Sequence, residues 1–238
     1  MHYPSVPEEN HLLASLPAPD RLRLFSSLEP VQLSLSDVLY ESGSQIRYVY
    51  FPTTAVVSLL YVLENGATAE IAVVGNDGVV GISLFMGGET TTSRAVVQSA
   101  GQAFRLQGKR LKDEFERGDA IQHLLLRYTQ ALLTQMAQIG VCNRHHSLDE
   151  QLCRWLLLSL DRLQSNQLVT TQELIANTLG VRREGVTGAA GNLRKAGLIE
   201  YSRGHVTLLD RAGLEARTCE CYEVIRKEYD RLLPSPRV

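Results

Sequence analysis

The chain has 238 residues, of which 44% are hydrophobic, and its 24 Lys and Arg against 26 Asp and Glu give a formal net charge of −2. This length predicts two domains rather than one, and the near-neutral charge excludes a general electrostatic attraction to nucleic acid. No apolar run approaches the roughly 20 residues that cross a bilayer, so we expect no membrane partner. The polar, proline-interrupted start does not resemble a secretion signal, which predicts a cytoplasmic protein.

Short β-prone runs separated by turn signals extend from Gln32 to Leu106. Two of these runs, Val56–Leu63 and Ala69–Val74, flank Asn65-Gly66, which is a strong hairpin signal. Further glycine-containing turns recur at the spacing of an antiparallel sandwich or barrel. The segment therefore predicts a compact β-roll.

The sequence gives no support for an enzyme. All six histidines lie outside the predicted β-roll, which excludes the multi-histidine metal site of cupin enzymes. We also find no nucleophile elbow, Walker loop or dinucleotide-binding glycine motif. We therefore expect no catalytic residue.

An uninterrupted helical pattern from Asp119 to His145 predicts a long helix. Apolar residues recur along it at alternating spacings of four and three, the pattern of a coiled-coil seam, so we expect it to pair with a second copy. The predicted dimer interface is Ile121, Leu125, Tyr128, Leu132, Gln135 and Ile139. Other apolar residues lie off this seam, so the helix must also bury a side against the β-roll. A single core helix without a role in dimerisation is the alternative.

The four cysteines are scattered along the chain and form neither a disulfide framework nor a paired zinc motif. We expect no metal site and no cofactor. Cys219 and Cys221 are interpreted as an ordinary pair on a helix, with a redox or metal role as the alternative. His145 and His146 are interpreted as helix C-terminal caps rather than metal ligands.

Capping motifs mark the segments that follow the long helix. Ser147 and Glu150 form a capping box that opens a new helix, which places a hinge between domains near His146. Asp210 is expected to cap a last helix, from about Arg211 to Leu233, that packs on the preceding domain.

The stretch from Thr170 to Leu209 predicts a helix, a tight turn, a second helix and a hairpin. Thr170 and Glu173 form a capping box for the first helix, and Gly180 supplies the positive φ that the turn needs. The second helix begins near Arg182 and has one apolar side and one polar side. This order is the layout of a winged helix-turn-helix that reads DNA.

In this stretch the chain resembles the Crp/Fnr (cyclic-AMP receptor protein and fumarate-nitrate regulator) family of bacterial transcription factors. The family's recognition helix opens with an Arg-Glu pair and a small residue, which Arg183-Glu184-Gly185 matches. The resemblance implies that Arg183 and Glu184 reach base edges, which suits guanine and cytosine respectively. Gly188 stands where the family usually places a second base-reading arginine.

The predicted contacts divide into base readers and phosphate holders. Arg182, Arg194, Lys195 and Arg203 are expected to hold phosphates. The full predicted DNA-binding set is Thr171, Arg182, Arg183, Glu184, Thr187, Gly188, Arg194, Lys195, Arg203 and His205.

The same resemblance implies that the β-roll is a cyclic-nucleotide-binding-like double-stranded β-helix of the jelly-roll type. The family's cassette places a carboxylate on the ribose and an Arg-Ser/Thr pair on the cyclic phosphate. Here Ile82 replaces the carboxylate and Arg94 is shifted, so we do not expect the usual mode of cyclic-AMP binding. Arg94 either holds another anion or lies on a solvated strand beside a vestigial pocket. The candidate effector residues are Gly81, Ile82, Ser83, Thr92, Ser93 and Arg94.

We therefore predict an α+β protein with a β-roll sensor domain (1–118), a dimerisation helix (119–146) and a winged helix-turn-helix domain (147–238). The expected function is sequence-specific, homodimeric transcription regulation. The expected partners are double-stranded DNA, a second copy of the chain, RNA polymerase and a small-molecule effector of unknown identity. The alternative is a ligand-sensing or protein-binding adaptor whose winged domain does not read DNA.

Overall fold

A two-sheet β-roll forms the N-terminal part of the computed structural model, which describes residues 5–163, 165–202 and 204–233. Two short helices precede it, α1 (His11–Ala14) and α2 (Ala18–Phe25). The seven strands are β1 (Glu29–Leu33), β2 (Val38–Tyr40), β3 (Tyr48–Pro52), β4 (Val56–Val62), β5 (Thr68–Val74), β6 (Arg94–Ser99) and β7 (Gly101–Gln107).

The strands pair antiparallel, in the orders β1-β7-β3 and β2-β6-β4-β5. The predicted hairpin is confirmed, since β4 pairs with β5 from Val57 opposite Val74 to Val62 opposite Thr68. At its tip Asn65 accepts a hydrogen bond from the Ala67 amide, and Gly66 has a φ of +82°. The turn chemistry therefore sets the hairpin that the sequence indicates.

Two helices follow the β-roll, α3 (Gly108–Glu116) and the long α4 (Ala120–His145). The predicted long helix is confirmed, but the predicted dimer seam is not available to a partner. Its six residues are all at most 3% exposed in the single chain, because β5, α3 and a C-terminal helix pack on that side of α4.

Gln135 illustrates this correction. Its side chain accepts from the Val73 amide, donates to the Val73 carbonyl and donates to the Tyr229 hydroxyl at 2.8 Å. Tyr128 likewise donates to the Val79 carbonyl at 3.1 Å. A heptad pattern records only that a face is buried, and here the chain itself buries it.

The C-terminal part is a three-helix unit with a small sheet. Its elements are α5 (Leu148–Asp161), β8 (Gln167–Val169), α6 (Gln172–Leu179), α7 (Arg183–Lys195), β9 (Ile199–Ser202) and β10 (His205–Leu208). The sheet order is β8-β10-β9, so β8 adds a third strand to the hairpin that the sequence predicts.

Capping side chains decide where these helices begin, and a glycine allows the turn between α6 and α7. The capping box of Ser147 and Glu150 is confirmed in both directions. The box of Thr170 and Glu173 is wrong: Thr171 is the N-cap and accepts from the Leu174 amide at 3.1 Å, while Thr170 is buried. Gly180 has the expected left-handed conformation, with a φ of +68°.

The predicted last helix is two helices, α8 (Arg211–Arg217) and α9 (Glu220–Leu232), which are separated at Thr218 and Cys219. Asp210 caps α8 as expected. Helix α9 packs mainly along α4 rather than on the winged unit alone, because Tyr222, Ile225 and Tyr229 form a buried stripe on it.

The start of α9 meets the end of α4, which brings together three cysteines that are far apart in the sequence. Cys142, Cys219 and Cys221 are buried against one another, with His146 beside them. Their scattered positions in the sequence therefore do not keep these three cysteines apart, because sequence separation does not limit contact between packed helices.

Helix α6 packs on β5, and side chains at and after α5 reach the β-roll, so that the two parts of the chain are joined. Arg162, which follows α5, pairs with Asp77 at 2.8 Å, and Gln98 on β6 donates to the Ser159 hydroxyl at 2.7 Å. At the other end of the junction Thr68 donates to the Asn177 carbonyl of α6. These polar contacts, of which the two at Arg162 and Gln98 involve buried side chains, fix how the C-terminal unit sits on the β-roll.

Candidate nucleic-acid interface

Helix α7 presents one apolar and one polar side, as the sequence predicts. Val186, Ala189, Ala190 and Leu193 are at most 5% exposed and pack towards α5 and α6. The opposite side is open to solvent and carries Arg183, Glu184, Thr187 and Gly188. Helix amphipathicity therefore decides which residues a ligand on this surface can touch.

The exposed surface of α7 is cationic at both ends. Arg182 and Arg183 lie at its start and Arg194 and Lys195 at its end, and all four are exposed. Other arginines of the winged unit are neutralised, since Arg211 pairs with Asp161 and Glu215, and Arg217 pairs with Asp149. Within the described ranges, by contrast, no carboxylate pairs with the four cations of α7.

The middle of the exposed face of α7 carries small residues, and one of them is held in place by a hydrogen bond. Thr187 donates to Gln172 Oε1 at 2.8 Å, which ties α7 to the first turn of α6. A Cβ added at Gly188 or Gly191 would meet no atom within 4 Å, so both glycines have space for a side chain. Gly185 differs, because a Cβ there would lie 2.9 Å from Leu148 Cδ2. A side chain at Gly185 would therefore require the Leu148 side chain of α5 to move, whereas one at Gly188 or Gly191 would meet no neighbour.

The remaining predicted contacts lie at the rim of this surface. Thr171 is exposed, but its hydroxyl oxygen accepts the Leu174 amide as a helix cap. His205 is exposed at the start of β10, in the hairpin that we interpret as the wing. Arg203 lies outside the described residues.

The candidate effector residues fall into two groups, one at residues 81–83 and one at residues 92–94. Gly81 has a φ of +102° and leads into a short 3-10 helix, Ile82–Leu84. Arg94 pairs with Glu41 at 3.2 Å, and Thr92 donates to the Tyr61 hydroxyl at 3.0 Å. Arg94 and Thr92 therefore each have a partner on a neighbouring strand or turn.

A separate cleft lies at the junction between the two parts. It has a volume of about 340 Å³ and is lined by residues of α1, α5 and α9 together with Asp77. Its buried cation, Arg162, is already paired with Asp77.

The sequence analysis places apolar residues off the seam of α4 but does not identify the stripe of α4 that is exposed. Leu126 is 50% exposed and Leu133 is 51% exposed, whereas the predicted seam is buried. The exposed residues Leu126, Gln130, Leu133, Ala137 and Gly140 again alternate spacings of four and three, and we call them the outer stripe. The spacing of the outer stripe is visible in the sequence. When two such patterns lie on one helix, however, the sequence does not tell which one the rest of the chain buries and which one stays exposed.

A search of the described helices for one long and apolar enough to cross a membrane found none.

Two family models match the chain, each over one of its two parts. The cyclic nucleotide-binding domain model matches residues 30–118, which include the β-roll. The Crp-like helix-turn-helix domain model matches residues 150–217, which include α6 and α7. No curated protein matches the chain.

Solved structures share the whole architecture. A CRP-family transcriptional regulator from Thermus thermophilus is 21% identical, with a TM-score of 0.64, over 79% of this chain and 95% of its own. FixK2 from Bradyrhizobium japonicum is 17% identical, with a TM-score of 0.66, over 81% and 98%. A CRP/FNR-family regulator, also from Thermus thermophilus, is 24% identical, with a TM-score of 0.61, over 82% and 98%. At these identities the likeness concerns the fold.

Proposed function

Because this chain belongs to the Crp/Fnr family of transcription regulators, whose members are not enzymes, we propose that it binds specific DNA sequences as a homodimer. The observation that carries the proposal is the exposed face of α7, where an Arg-Glu pair lies among four cations that no carboxylate of the described residues neutralises.

The face has the chemistry for both kinds of DNA contact. Arg183 can donate two hydrogen bonds to guanine, and Glu184 can accept one from cytosine. Arg182, Arg194 and Lys195 lie at the two ends of α7, where they can hold phosphates on either side of a groove. Since the net charge of the chain is −2, DNA affinity depends on this local placement.

The outer stripe of α4 is the surface that we propose for dimerisation. It carries Leu126 and Leu133, each about half exposed, and the small residues Ala137 and Gly140. A Cβ at Gly140 would meet nothing within 4 Å, so a second helix could approach closely there. A dimer is needed because two recognition helices about 34 Å apart enter successive major grooves.

We further propose that the β-roll does not bind cyclic AMP in the family's usual mode. Ile82 offers no acceptor to a ribose hydroxyl, and Arg94 is paired with Glu41. Calorimetric titration of cyclic nucleotides into the full chain tests this proposal, and tight binding of cyclic AMP would contradict it.

Selection from fragmented genomic DNA tests the main proposal. The purified full chain should enrich sites with two related half-sites about 10 base pairs apart from centre to centre. Adding metabolite mixtures to parallel selections should reveal any effector. Failure to enrich any sequence would favour the protein-binding adaptor.

Variants then separate base reading from general attraction. Arg183→Ala should weaken binding to the selected site by about 1–3 kcal/mol and relax the preference at one base pair. Arg194→Ala should weaken binding to all sequences alike and reduce the salt dependence. Arg110→Ala is the matched control, because Arg110 is an exposed arginine on α3, which follows the β-roll and lies outside the C-terminal unit. Equal affinity of the Arg183 variant and this control for the selected site would exclude base reading.

A further inference from the structure

Three of the four cysteines converge with one histidine where α4 ends and α9 begins. Cys142 Sγ lies 3.4 Å from Cys219 Sγ, and Cys221 Sγ lies 3.6 Å from His146 Nδ1. The four potential ligand atoms all lie within 4.8 Å of one another. Cys142, Cys219 and Cys221 are at most 5% exposed and form a cluster apart from the main apolar core.

The two shortest of these separations match the edges of a tetrahedral zinc site. With Zn–S bonds of about 2.3 Å and Zn–N bonds of about 2.0–2.1 Å, tetrahedral angles place two sulfurs about 3.8 Å apart and a sulfur and a nitrogen about 3.6 Å apart. The observed 3.4 Å and 3.6 Å differ from these values by a few tenths of an ångström or less. Three cysteines and one histidine are a common ligand set for structural zinc.

The histidine is oriented as a metal ligand. While Nδ1 of His146 faces the sulfurs, Nε2 lies 3.3 Å from Glu220 Oε2. A carboxylate that accepts the N–H of one ring nitrogen leaves the lone pair of the other nitrogen for a metal, and this arrangement recurs around protein zinc ions.

A buried cation balances the charge that such a site would carry. Three thiolates and one divalent ion leave a net charge of −1. Arg154 is 2% exposed and donates to the side chain of Asn143, the residue next to Cys142, at 3.3 Å. Its Nε has no hydrogen-bond partner among the described residues. A disulfide between two of the cysteines would use only two of these four groups.

The geometry points to a structural site for a soft divalent cation such as Zn²⁺, held by Cys142, His146, Cys219 and Cys221. The ion would join the hinge at the end of α4 to the first turn of α9. It would therefore hold the C-terminal helix, which returns along α4 to the β-roll, in a fixed position.

Cobalt titration of the full chain tests the site. The purified protein is reduced, stripped with a chelator and titrated with Co²⁺. We expect one ion per chain, with thiolate-to-cobalt charge-transfer bands, the strong visible bands of a tetrahedral ion and displacement by Zn²⁺. A spectrum without thiolate bands, or binding well below one ion per chain, would overturn the proposal.

The fourth cysteine supplies a matched control. Cys153 is equally buried but lies outside the cluster, so Cys153→Ser should bind Co²⁺ as the natural chain does. Cys219→Ser and Cys221→Ser should lose stoichiometric binding. Glu220→Gln should weaken binding by about 10- to 100-fold, because it alters only the orientation and basicity of His146. An equal loss in the Cys153 and Cys219 variants would exclude the site.

A second measurement does not depend on the variants' folding. In the natural chain, Zn²⁺ should protect Cys142, Cys219 and Cys221 from alkylation, and removal of Zn²⁺ should expose them, as peptide mass spectrometry would show. Alkylation that is unchanged by Zn²⁺, or a disulfide between Cys142 and Cys219 in the freshly isolated protein, would contradict the proposal.

Discussion

The ion pair between Asp77 and Arg162 should be a main stabilising contact between the β-roll and the winged unit. Asp77 Oδ2 lies 2.8 Å from Arg162 Nη2, and the Arg162 side chain is only 4% exposed. Asp77→Asn would leave a buried guanidinium without its counter-ion, which typically costs about 3–5 kcal/mol.

The lower end of that range applies here. Asp77 is 23% exposed, and Arg162 retains a hydrogen bond to the Leu158 carbonyl and a contact with the Tyr229 ring, whose centroid lies 5.3 Å away. We therefore expect a loss of about 3 kcal/mol. For a chain of this size, 1 kcal/mol shifts the unfolding midpoint by about 2–4 °C, so the midpoint should fall by about 6–12 °C.

Thermal unfolding followed by circular dichroism measures this loss. The control is Glu29→Gln, which breaks the exposed pair with Arg105 and should cost at most about 1 kcal/mol. The double variant Asp77→Asn/Arg162→Met removes both charges and should recover part of the loss. A midpoint for Asp77→Asn no lower than that of the Glu29 control would refute the reasoning.

Three further predictions concern the pH dependence, the DNA face and the dimer face. Burial raises the pKa of Glu70 from 4.5 to about 7. Between pH 4.5 and about 7 the folded chain therefore holds a proton that the unfolded chain has released, and the free energy of unfolding should fall by up to about 3 kcal/mol as the pH rises through this range. Glu70→Gln should abolish this dependence of the free energy of unfolding on pH, as denaturant titrations at several pH values would show. Gly188→Arg should stabilise α7 by up to about 1 kcal/mol and tighten DNA binding with a steeper salt dependence, whereas Gly191→Ala should only stabilise; fluorescence anisotropy at several salt concentrations compares them. Leu133→Glu should convert the proposed dimer to a monomer in analytical ultracentrifugation, and an equal effect of Leu22→Glu, at an exposed site on α2, would contradict the assigned face.

The expected pH dependence has a structural counterpart in a chain of buried hydrogen bonds. Ser58 Oγ lies 2.6 Å from Glu70 Oε2 and 2.8 Å from Gln98 Oε1. One hydroxyl proton cannot serve both oxygens, so a protonated Glu70 that donates to Ser58 completes the chain, which continues from Gln98 to Ser159. The protonated form of Glu70 therefore fits a hydrogen-bond chain that links the β-roll to Ser159 on α5.

Features with a local cause could be predicted from the sequence. Gly180 adopts a positive φ because the turn between α6 and α7 requires it, and the Asn65-Gly66 pair closes the predicted hairpin. The polar face of α7 follows from the spacing of its apolar residues. Where two hydroxyls compete for one cap, as Thr170 and Thr171 do, the pattern fails by one residue because only the folded backbone decides between them.

The use of each face of α4 could not be predicted in the same way. Both the predicted seam and the outer stripe have the four-and-three spacing of a helix contact. The sequence does not show which segment of the chain, or which partner, packs against each of these two faces. Packing of β5 and α9 on the first leaves the second exposed.

By itself, the sequence determined the α+β architecture, the order of β-roll, long helix and winged unit, and the residues exposed on α7, because periodicity, caps and turns act over a few neighbouring residues. The tertiary structure decided which side of α4 remains free, how α5 is joined to the β-roll, and that Cys142 meets Cys219 across 77 residues of chain. These features depend on contacts between distant segments, and side-chain packing rather than local chemistry brings those segments together.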